Sequence, residues 1–379
     1  MGIKNITVLG SGIMGHGIAQ VSAMSGYNVV LRDIEQQFLD KAMEKIKWSL
    51  DKLVSKEKIS KNQADEIFSR IRPVIDLKKA VEGCDLVIEA VPEIMDLKKK
   101  VYSELESVAA KDIVFASNTS TLPITEIADT TKRPEKFIGI HFFNPPQLMK
   151  LVEIIPGKKT GQDILKMTED YVRSVKKEPV ICRKDVPGFI VNRLFIPLVH
   201  EACYVMDRQG TQLTEIDSAV KFKLGFPMGI FELADFTGMD VIHKATIEMH
   251  QRDKKVIRPH PKIEQLYNEK KLGQKSGEGF YKYSDEKYER VALSEELAEK
   301  CDPIQILANI LNNAAWLVTK QASDIAEIEK AASLGLGLKK PLFETAKEYG
   351  MSKIVKELKQ LAEKHGQFYE PDPLLISMS

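Results

Sequence analysis

Only four cysteines occur in the 379 residues, Cys84, Cys182, Cys203 and Cys301, and none pairs with another as C-x-x-C. That spacing excludes a disulfide-framework scaffold and offers no convergent ligand set, so no metal is expected and the thiols read as reduced, in a cytoplasmic protein. One-sided charge is also missing. Lys and Arg number 55 against 54 Asp and Glu, a formal net charge of +1, and whole-molecule charge gives no reason to expect a nucleic acid partner. No apolar run approaches the ~20 residues that cross a bilayer, so no membrane association is expected. The first strand pattern starts almost at Met1, and no signal peptide is expected. What is present is ordinary globular composition, 43% apolar and 29% charged, in a length that suits two or three domains.

Lys4 to Leu9 reads as a short buried strand and runs into Gly10-Ser11-Gly12-Ile13-Met14-Gly15. A helical stretch follows to about Ser25, where Gly26 ends it, and Asn28 to Arg32 is a second strand closed by Asp33. Gly10, Gly12 and Gly15 satisfy G-x-G-x-x-G in strand–turn–helix context. The first glycine allows the tight turn, the second the approach of a pyrophosphate, and the third close helix–strand packing. The helix N-terminus supplies N–H groups to the phosphates. Asp33 stands at the end of the second strand, where a carboxylate accepts from ribose hydroxyls and repels the 2′-phosphate of NADP. NAD is therefore the expected cofactor, against Gly10, Gly12, Ile13, Met14, Gly15 and Asp33. Arg32 beside Asp33 is a countervailing cation.

Residues 36–68 are Lys- and Glu-rich with helical periodicity and a break between Ser49 and Ser60, which reads as an inserted helical hairpin. Strand patterns resume at 71–75, 86–91, 113–116 and 137–140, with late strands at 151–155 and 179–182, and predict a largely parallel sheet. Beyond Asp185-Val186-Pro187-Gly188 the pattern is helical, with helices over Phe189–Met206 and Leu213–Val220 and another over Pro303–Lys320 capped by Asp302. Thr214–Glu232 and Ala326–Glu344 resemble each other without a gap. Glu215, Ile216, Ala219, Leu224, Gly225, Phe231 and Glu232 recur as Glu327, Ile328, Ala331, Leu336, Gly337, Phe343 and Glu344. The fold class expected is an α/β Rossmann-type domain with an inserted helical hairpin (1–185), then an all-α region of two repeated helical units (186–290 and 291–379). Two such units can pack as the halves of a symmetric dimer do.

Three polar groups stand out in apolar surroundings: Ser117-Asn118-Thr119-Ser120 after a strand, His141 at a strand end, and Glu153 inside L-V-E-I-I. Removing hydride from a secondary alcohol needs a base for the hydroxyl proton, and histidine suits that task near neutral pH. A buried glutamate holding the second ring nitrogen would orient it, and Glu153 would otherwise be costly in an apolar strand.

These residues carry a resemblance. V-L-G-S-G-I-M-G at 8–15, S-N-T-S at 117–120, H-F-F-N-P-P at 141–146, P-G-F-I-V-N-R at 187–193, L-G-F-P-M-G at 224–229 and G-E-G-F-Y-K-Y at 277–283 resemble, in order, blocks of the 3-hydroxyacyl-CoA dehydrogenases. The resemblance implies that His141 is the catalytic base and Glu153 its orienting partner. It implies that Ser120 and Asn192 bind substrate, and that Glu93, Lys98 and Asn118 lie near the cofactor. A solvated helix turn is the competing reading of Glu93 and Lys98. The tandem helical unit is similar to that of multifunctional fatty-acid-oxidation proteins, without their hydratase blocks. The second copy has Ile304 at the equivalent of Asn192 and reads as structural.

The expected reaction interconverts (S)-3-hydroxyacyl-CoA and 3-oxoacyl-CoA with NAD. For the CoA 3′-phosphate the lysine-rich hairpin is the candidate surface, with Lys52 and Lys56 at its centre, although a charge run is also what a solvated face looks like. Two other readings stand beside this one: an NAD-dependent dehydrogenase of a free hydroxy acid or sugar acid such as gulonate, and a non-catalytic NAD-binding subunit. The expected assembly is a monomer with a pseudo-dimeric C-terminal region, or a homodimer.

Overall fold

A computed structural model describes residues 2–283 and 292–379. The expected boundary between the two helical units, at 290/291, lies outside the described residues. The chain divides into two compact units, Met1–Asp185 and Val186–Ser379.

The first unit is built on one eight-stranded sheet. Its strands are β1 (Asn5–Leu9), β2 (Asn28–Arg32), β3 (Ile71–Val74), β4 (Leu86–Glu89), β5 (Val114–Ser117), β6 (Phe137–Phe142), β7 (Leu151–Pro156) and β8 (Glu178–Ile181). Spatial order is β3-β2-β1-β4-β5-β6-β7-β8. All neighbours run parallel except β6 and β7. Central strands β4, β5 and β6 are buried at every position, as expected where helices cover both faces. The helices are α1 (Ile13–Met24), α2 (Gln36–Ser55), α3 (Lys61–Ser69), α4 (Leu77–Ala80), α5 (Met95–Val108), α6 (Ile124–Ala128) and α7 (Gln162–Ser174).

The hairpin insert is α2 and α3. Its break is Lys56–Ser60, and Ser60 caps α3 in a reciprocal capping box with Gln63, which is what fixes the second helix's start. Leu39, Ala42, Ile46 and Leu50 of α2 are buried in the core of this unit, so the hairpin is anchored along one stripe and the lysines occupy the other.

The second unit is helical: α8 (Val191–Gln209), α9 (Leu213–Phe222), α10 (Ile230–Thr237), α11 (Met239–Arg252), α12 (Pro261–Asn268), α13 (Glu295–Ala298), α14 (Ile304–Thr319), α15 (Ile325–Leu336), α16 (Leu342–Tyr349), α17 (Met351–His365) and α18 (Pro373–Ser377). Helix α14 begins one residue later than Pro303, yet Asp302 still accepts from the Ile304 N–H at 3.0 Å.

Internal bonds recur at the offset of the sequence repeat. His260 N–H donates to His200 Nδ1 at 2.9 Å, and Asp372 N–H to Asn312 Oδ1 at 2.7 Å. His260 also pairs with Asp207, as Asp372 does with Thr319. The equivalent acids Asp217 and Glu329 each accept two N–H groups at the start of the following helix: Asp217 those of Phe231 and Glu232 in α10, and Glu329, one position earlier, those of Leu342 and Phe343 in α16. Gly238 and Gly350, between the third and fourth helices of each set, both have positive φ, 101° and 94°. Left-handed backbone of this kind favours glycine.

The G-E-G-F-Y-K-Y block closes the first set. The Asp235 carboxylate accepts from the N–H groups of Phe280 and Tyr281 and from the Tyr283 hydroxyl. A Cβ at Gly279 would run into that carboxylate.

Candidate active site

The glycine loop leaves β1 and turns at Gly10, whose φ is 89°. A Cβ at Gly15 would collide with the Gly10 carbonyl, whereas one at Gly12 would meet nothing within 4 Å. Gly15 is thus needed for packing, and Gly12 marks open space over the loop. Helix α1 has no side-chain cap bond and no acidic residue in its first turn, so its leading N–H groups suit an anion. Asp33 Oδ2 accepts from both the N–H and the hydroxyl of Ser11 at 2.7 Å. This locks the loop to the end of β2 and leaves the carboxylate further lone pairs for ribose hydroxyls. Ile13 is 61% exposed, at the mouth of the loop, and Met14 is partly buried against the core. These residues fit a dinucleotide.

Further along the carboxyl edge, β4 ends at Glu89. Glu89 and Lys98 are almost wholly buried, and their ion pair spans 2.6 Å. Lys98 also reaches Glu93 at 3.3 Å. Glu89 takes further bonds from the Val91 N–H and the Ser117 hydroxyl. Glu93 accepts from the Thr119 hydroxyl at 2.6 Å and the Ser120 N–H at 2.8 Å, and from the Ser120 hydroxyl at 3.1 Å. Burial pushes the Glu93 carboxyl up, but Lys98 and the bonds from Thr119 and Ser120 outweigh it and hold the group below its ordinary range. Burial likewise opposes the Lys98 ammonium, and Glu89 and Glu93 overcome it, so Lys98 stays charged above its ordinary value. A solvated helix turn does not describe these residues. Lys98 and Glu89 are buried and Glu93 is half-buried, and together they form one bonded network that fixes the loop 117–121.

Asn118, at the same edge, accepts the Phe142 N–H on its Oδ1 at 2.9 Å and so ties the end of β5 to the strand carrying His141.

His141 and Glu153 are directly opposite each other in the antiparallel β6–β7 pair. They are 6% and 0% exposed, and His141 Nδ1 lies 2.8 Å from Glu153 Oε2. A carboxylate only accepts, so Nδ1 carries the hydrogen of this contact, and in the neutral imidazole Nε2 is then the accepting nitrogen. The Phe143 ring packs against the imidazole at 4.4 Å between centroids.

Asn192 belongs to the helical unit, in the first turn of α8. Lys52 and Lys56 stand on the exposed side of the hairpin, where Lys52 Nζ lies 4.9 Å from the centre of the exposed Trp48 ring. Neither belongs to the bonded groups just described.

Sequence reasoning passed over Glu89 and Ser11. Glu89 carries the same signal that singled out Glu153, an acid inside an apolar strand, in L-V-I-E-A-V. Ser11 has no signal beyond its place between two glycines.

Residues 5–186 match the family model described as 3-hydroxyacyl-CoA dehydrogenase, NAD binding domain. Residues 188–283 and 305–379 match the one described as 3-hydroxyacyl-CoA dehydrogenase, C-terminal domain. The chain is 43% identical over 289 residues to the hydroxyacyl-coenzyme A dehydrogenase, mitochondrial, of Rattus norvegicus, covering 74% of this chain and 91% of that one. It is 39% identical over 278 residues to a probable 3-hydroxybutyryl-CoA dehydrogenase of Deinococcus radiodurans, covering 73% and 99%. The crystal structure of 3-hydroxybutyryl-CoA dehydrogenase from Escherichia coli K12 aligns with a TM-score of 0.89 at 27% identity, covering 100% of this chain and 98% of that one.

Proposed function

The chain belongs to the 3-hydroxyacyl-CoA dehydrogenase family, and from that premise we propose how its own residues perform the NAD-dependent oxidation of a 3-hydroxyacyl-CoA, a step of fatty acid β-oxidation. The observation that carries the reading is the buried His141–Glu153 pair at 2.8 Å across the strand register. With Nδ1 occupied by Glu153, Nε2 is the atom that takes the proton of the 3-hydroxyl. Glu153 keeps that tautomer and stabilises the imidazolium that forms. NAD, when bound over the glycine loop, supplies the acceptor for the C3 hydride. Ser120 and Asn192 hold the substrate oxygen, and the product is the 3-oxoacyl-CoA. In the reverse direction His141 returns its proton to the oxygen as hydride arrives at C3, which gives the (S)-3-hydroxyacyl thioester.

Around this centre, Gly10, Gly12, Ile13, Met14, Gly15 and Asp33 hold the dinucleotide, with Glu93, Lys98 and Asn118 toward its nicotinamide half. Lys52 and Lys56 meet the CoA 3′-phosphate as cations on a flexible stem. The chain divides functionally into 1–185, 186–290 and 291–379, acts as a monomer whose two helical copies take the place of two subunits, and works in the cytoplasm. All four cysteines are buried free thiols, which suits a reducing compartment.

The test is the absorbance of NADH on mixing with acetoacetyl-CoA, with NADPH and free acetoacetate as controls. Oxidation of NADH by the thioester alone is expected. Equal turnover of the free acid would move the reading to a hydroxy-acid or sugar-acid dehydrogenase. A His141→Ala protein that binds NADH but turns over at a near-normal rate would refute the assignment of the base.

A further inference from the structure

Arg193 follows Asn192, and successive helical residues point about 100° apart. The first turn of α8 therefore presents the two side chains in different directions. Arg193 is 2% exposed, and a guanidinium is almost never so buried unless partners hold it. Its partners come from the second helical copy. Nε donates to Asn313 Oδ1 at 3.0 Å, and the guanidinium lies 3.6 Å from the centre of the Trp316 ring. Asn313 is itself fixed, because its Nδ2 donates to the Asn309 carbonyl one turn earlier on α14. The Asp253 carboxylate stands 3.7 Å from Nη1, beyond hydrogen-bond reach, and Nη1 finds no other partner among the described residues. The directional holds on this side chain thus belong to α14.

The backbone it anchors is unusual. Gly188 and Phe189 both have positive φ, 78° and 51°, just before α8 begins. A phenylalanine in that region persists only where its surroundings impose it. The Arg193 N–H closes this turn on the Gly188 carbonyl at 3.0 Å, so the residue joins the turn through its backbone and α14 through its side chain.

We propose that Arg193 is a positioning residue, through which Asn313 and Trp316 of the second helical copy set the first turn of α8 and with it the Asn192 carboxamide. The second copy, which has Ile304 where the first has Asn192, then contributes to turnover without touching substrate. Lysine cannot replace this arginine: it lacks both the planar stack on Trp316 and the Nε–H aimed at Asn313. The inference rests on Asn192 contacting substrate.

The experiment measures kcat and KM for acetoacetyl-CoA and NADH, with Tm, in full-length Arg193→Lys, Asn313→Ala, Asn192→Ala and the Asn192→Ala/Arg193→Lys double variant. Arg193→Lys and Asn313→Ala are expected to lose roughly 10- to 100-fold in kcat, the scale of a small misplacement of a reacting group, with KM for NADH unchanged. Asn313→Ala keeps the test open if the Arg193 variant does not fold. Adding Arg193→Lys to Asn192→Ala is expected to change kcat no further, since the arginine acts through the missing amide. The inference is overturned if both substitutions lower Tm but leave kcat intact, or if the double variant shows the product of the two single losses. An Asn192→Ala enzyme with normal turnover would overturn the Asn192 assignment itself, a result the single variant reports independently of Arg193.

Discussion

Two glycines of the same loop, Gly12 and Gly15, are separable by experiment. Adding a methyl at Gly15 drives it into the Gly10 carbonyl, so Gly15→Ala is expected to disrupt the β1–α1 turn, with a fall in Tm and loss of NADH binding. Adding one at Gly12, where φ is −62° and no atom lies within 4 Å, costs the fold little. Gly12→Ala is expected to keep its Tm while KM for NADH rises by roughly tenfold or more, because the methyl occupies the space over the loop where a pyrophosphate comes closest. Equal Tm and equal KM in both variants would remove the glycine loop from cofactor binding. At the base, Glu153→Gln keeps the shape but loses the charge that stabilises the imidazolium, and its amide can present a donor to Nδ1 and favour the wrong tautomer. Stopped-flow turnover is expected to fall by roughly 10²- to 10⁴-fold with NADH affinity unchanged. Both sites were legible because each breaks a local rule: glycines where a helix should start, an acid where a strand should be apolar. Glu89 breaks the same rule as Glu153, but its partner Lys98 lies on a helix with a helix's ordinary charge pattern. Nothing in that pattern reveals that it turns inward.

Between elements, the two helical copies solve one problem with different chemistry. The turn before α12 is held by His200, and the turn before α18 by Asn312, each accepting one backbone N–H. His200 is 2% exposed. Its imidazole donates through Nε2 to Thr246, because Nδ1 must stay unprotonated to accept. Burial, followed by the neighbouring His260, His243 and His250, pushes its pKa down to about 3. The unfolded chain then binds a proton that the folded chain refuses, so this group's contribution is complete above pH ~6.5 and is lost as pH falls from there toward 3. The slope from one such group is about 1.4 kcal/mol per pH unit. His200→Asn, which copies the other repeat, is expected to flatten the loss of stability between pH 6.5 and 5 in urea melts, at the cost of the Thr246 bond near neutrality. Parallel pH profiles in the two proteins would show that His200 is not the acid-sensitive group. The repeat itself could be read in the sequence from matched apolar and glycine positions. The equivalence of His200 and Asn312 could not, since the shared feature is a lone pair aimed at a backbone N–H, which two unlike residues supply.

For the whole molecule, the open question is what the second copy replaces. Helices α8 and α14 are buried along almost their full lengths, and polar side chains cross between the copies: Arg193 to Asn313, Arg208 to Gln305, and Tyr369 to the buried Glu201. Arg193 and Gln305 occupy equivalent places in the two copies, as do Glu201 and Asn313. The same two helix positions therefore supply crossing contacts in both copies, though with different partners, as in a two-fold interface drawn within one chain whose halves have diverged. A surface already paired internally has no need of a second chain, and the intact protein is expected to sediment as a monomer at micromolar concentration. Removing residues 291–379 would strip Tyr369 from Glu201, which keeps only Arg208, and both α14 partners from Arg193, leaving an apolar α8 face with under-satisfied charged groups. That shortened protein is expected to dimerise through α8 or to aggregate, with Tm lowered by several degrees, since each lost hydrogen bond to a buried charged group is worth about 1.5–3 kcal/mol. Sedimentation equilibrium decides the matter: a shortened chain that remains monomeric with unchanged Tm would mean that the first copy is complete by itself and the second was acquired for another reason.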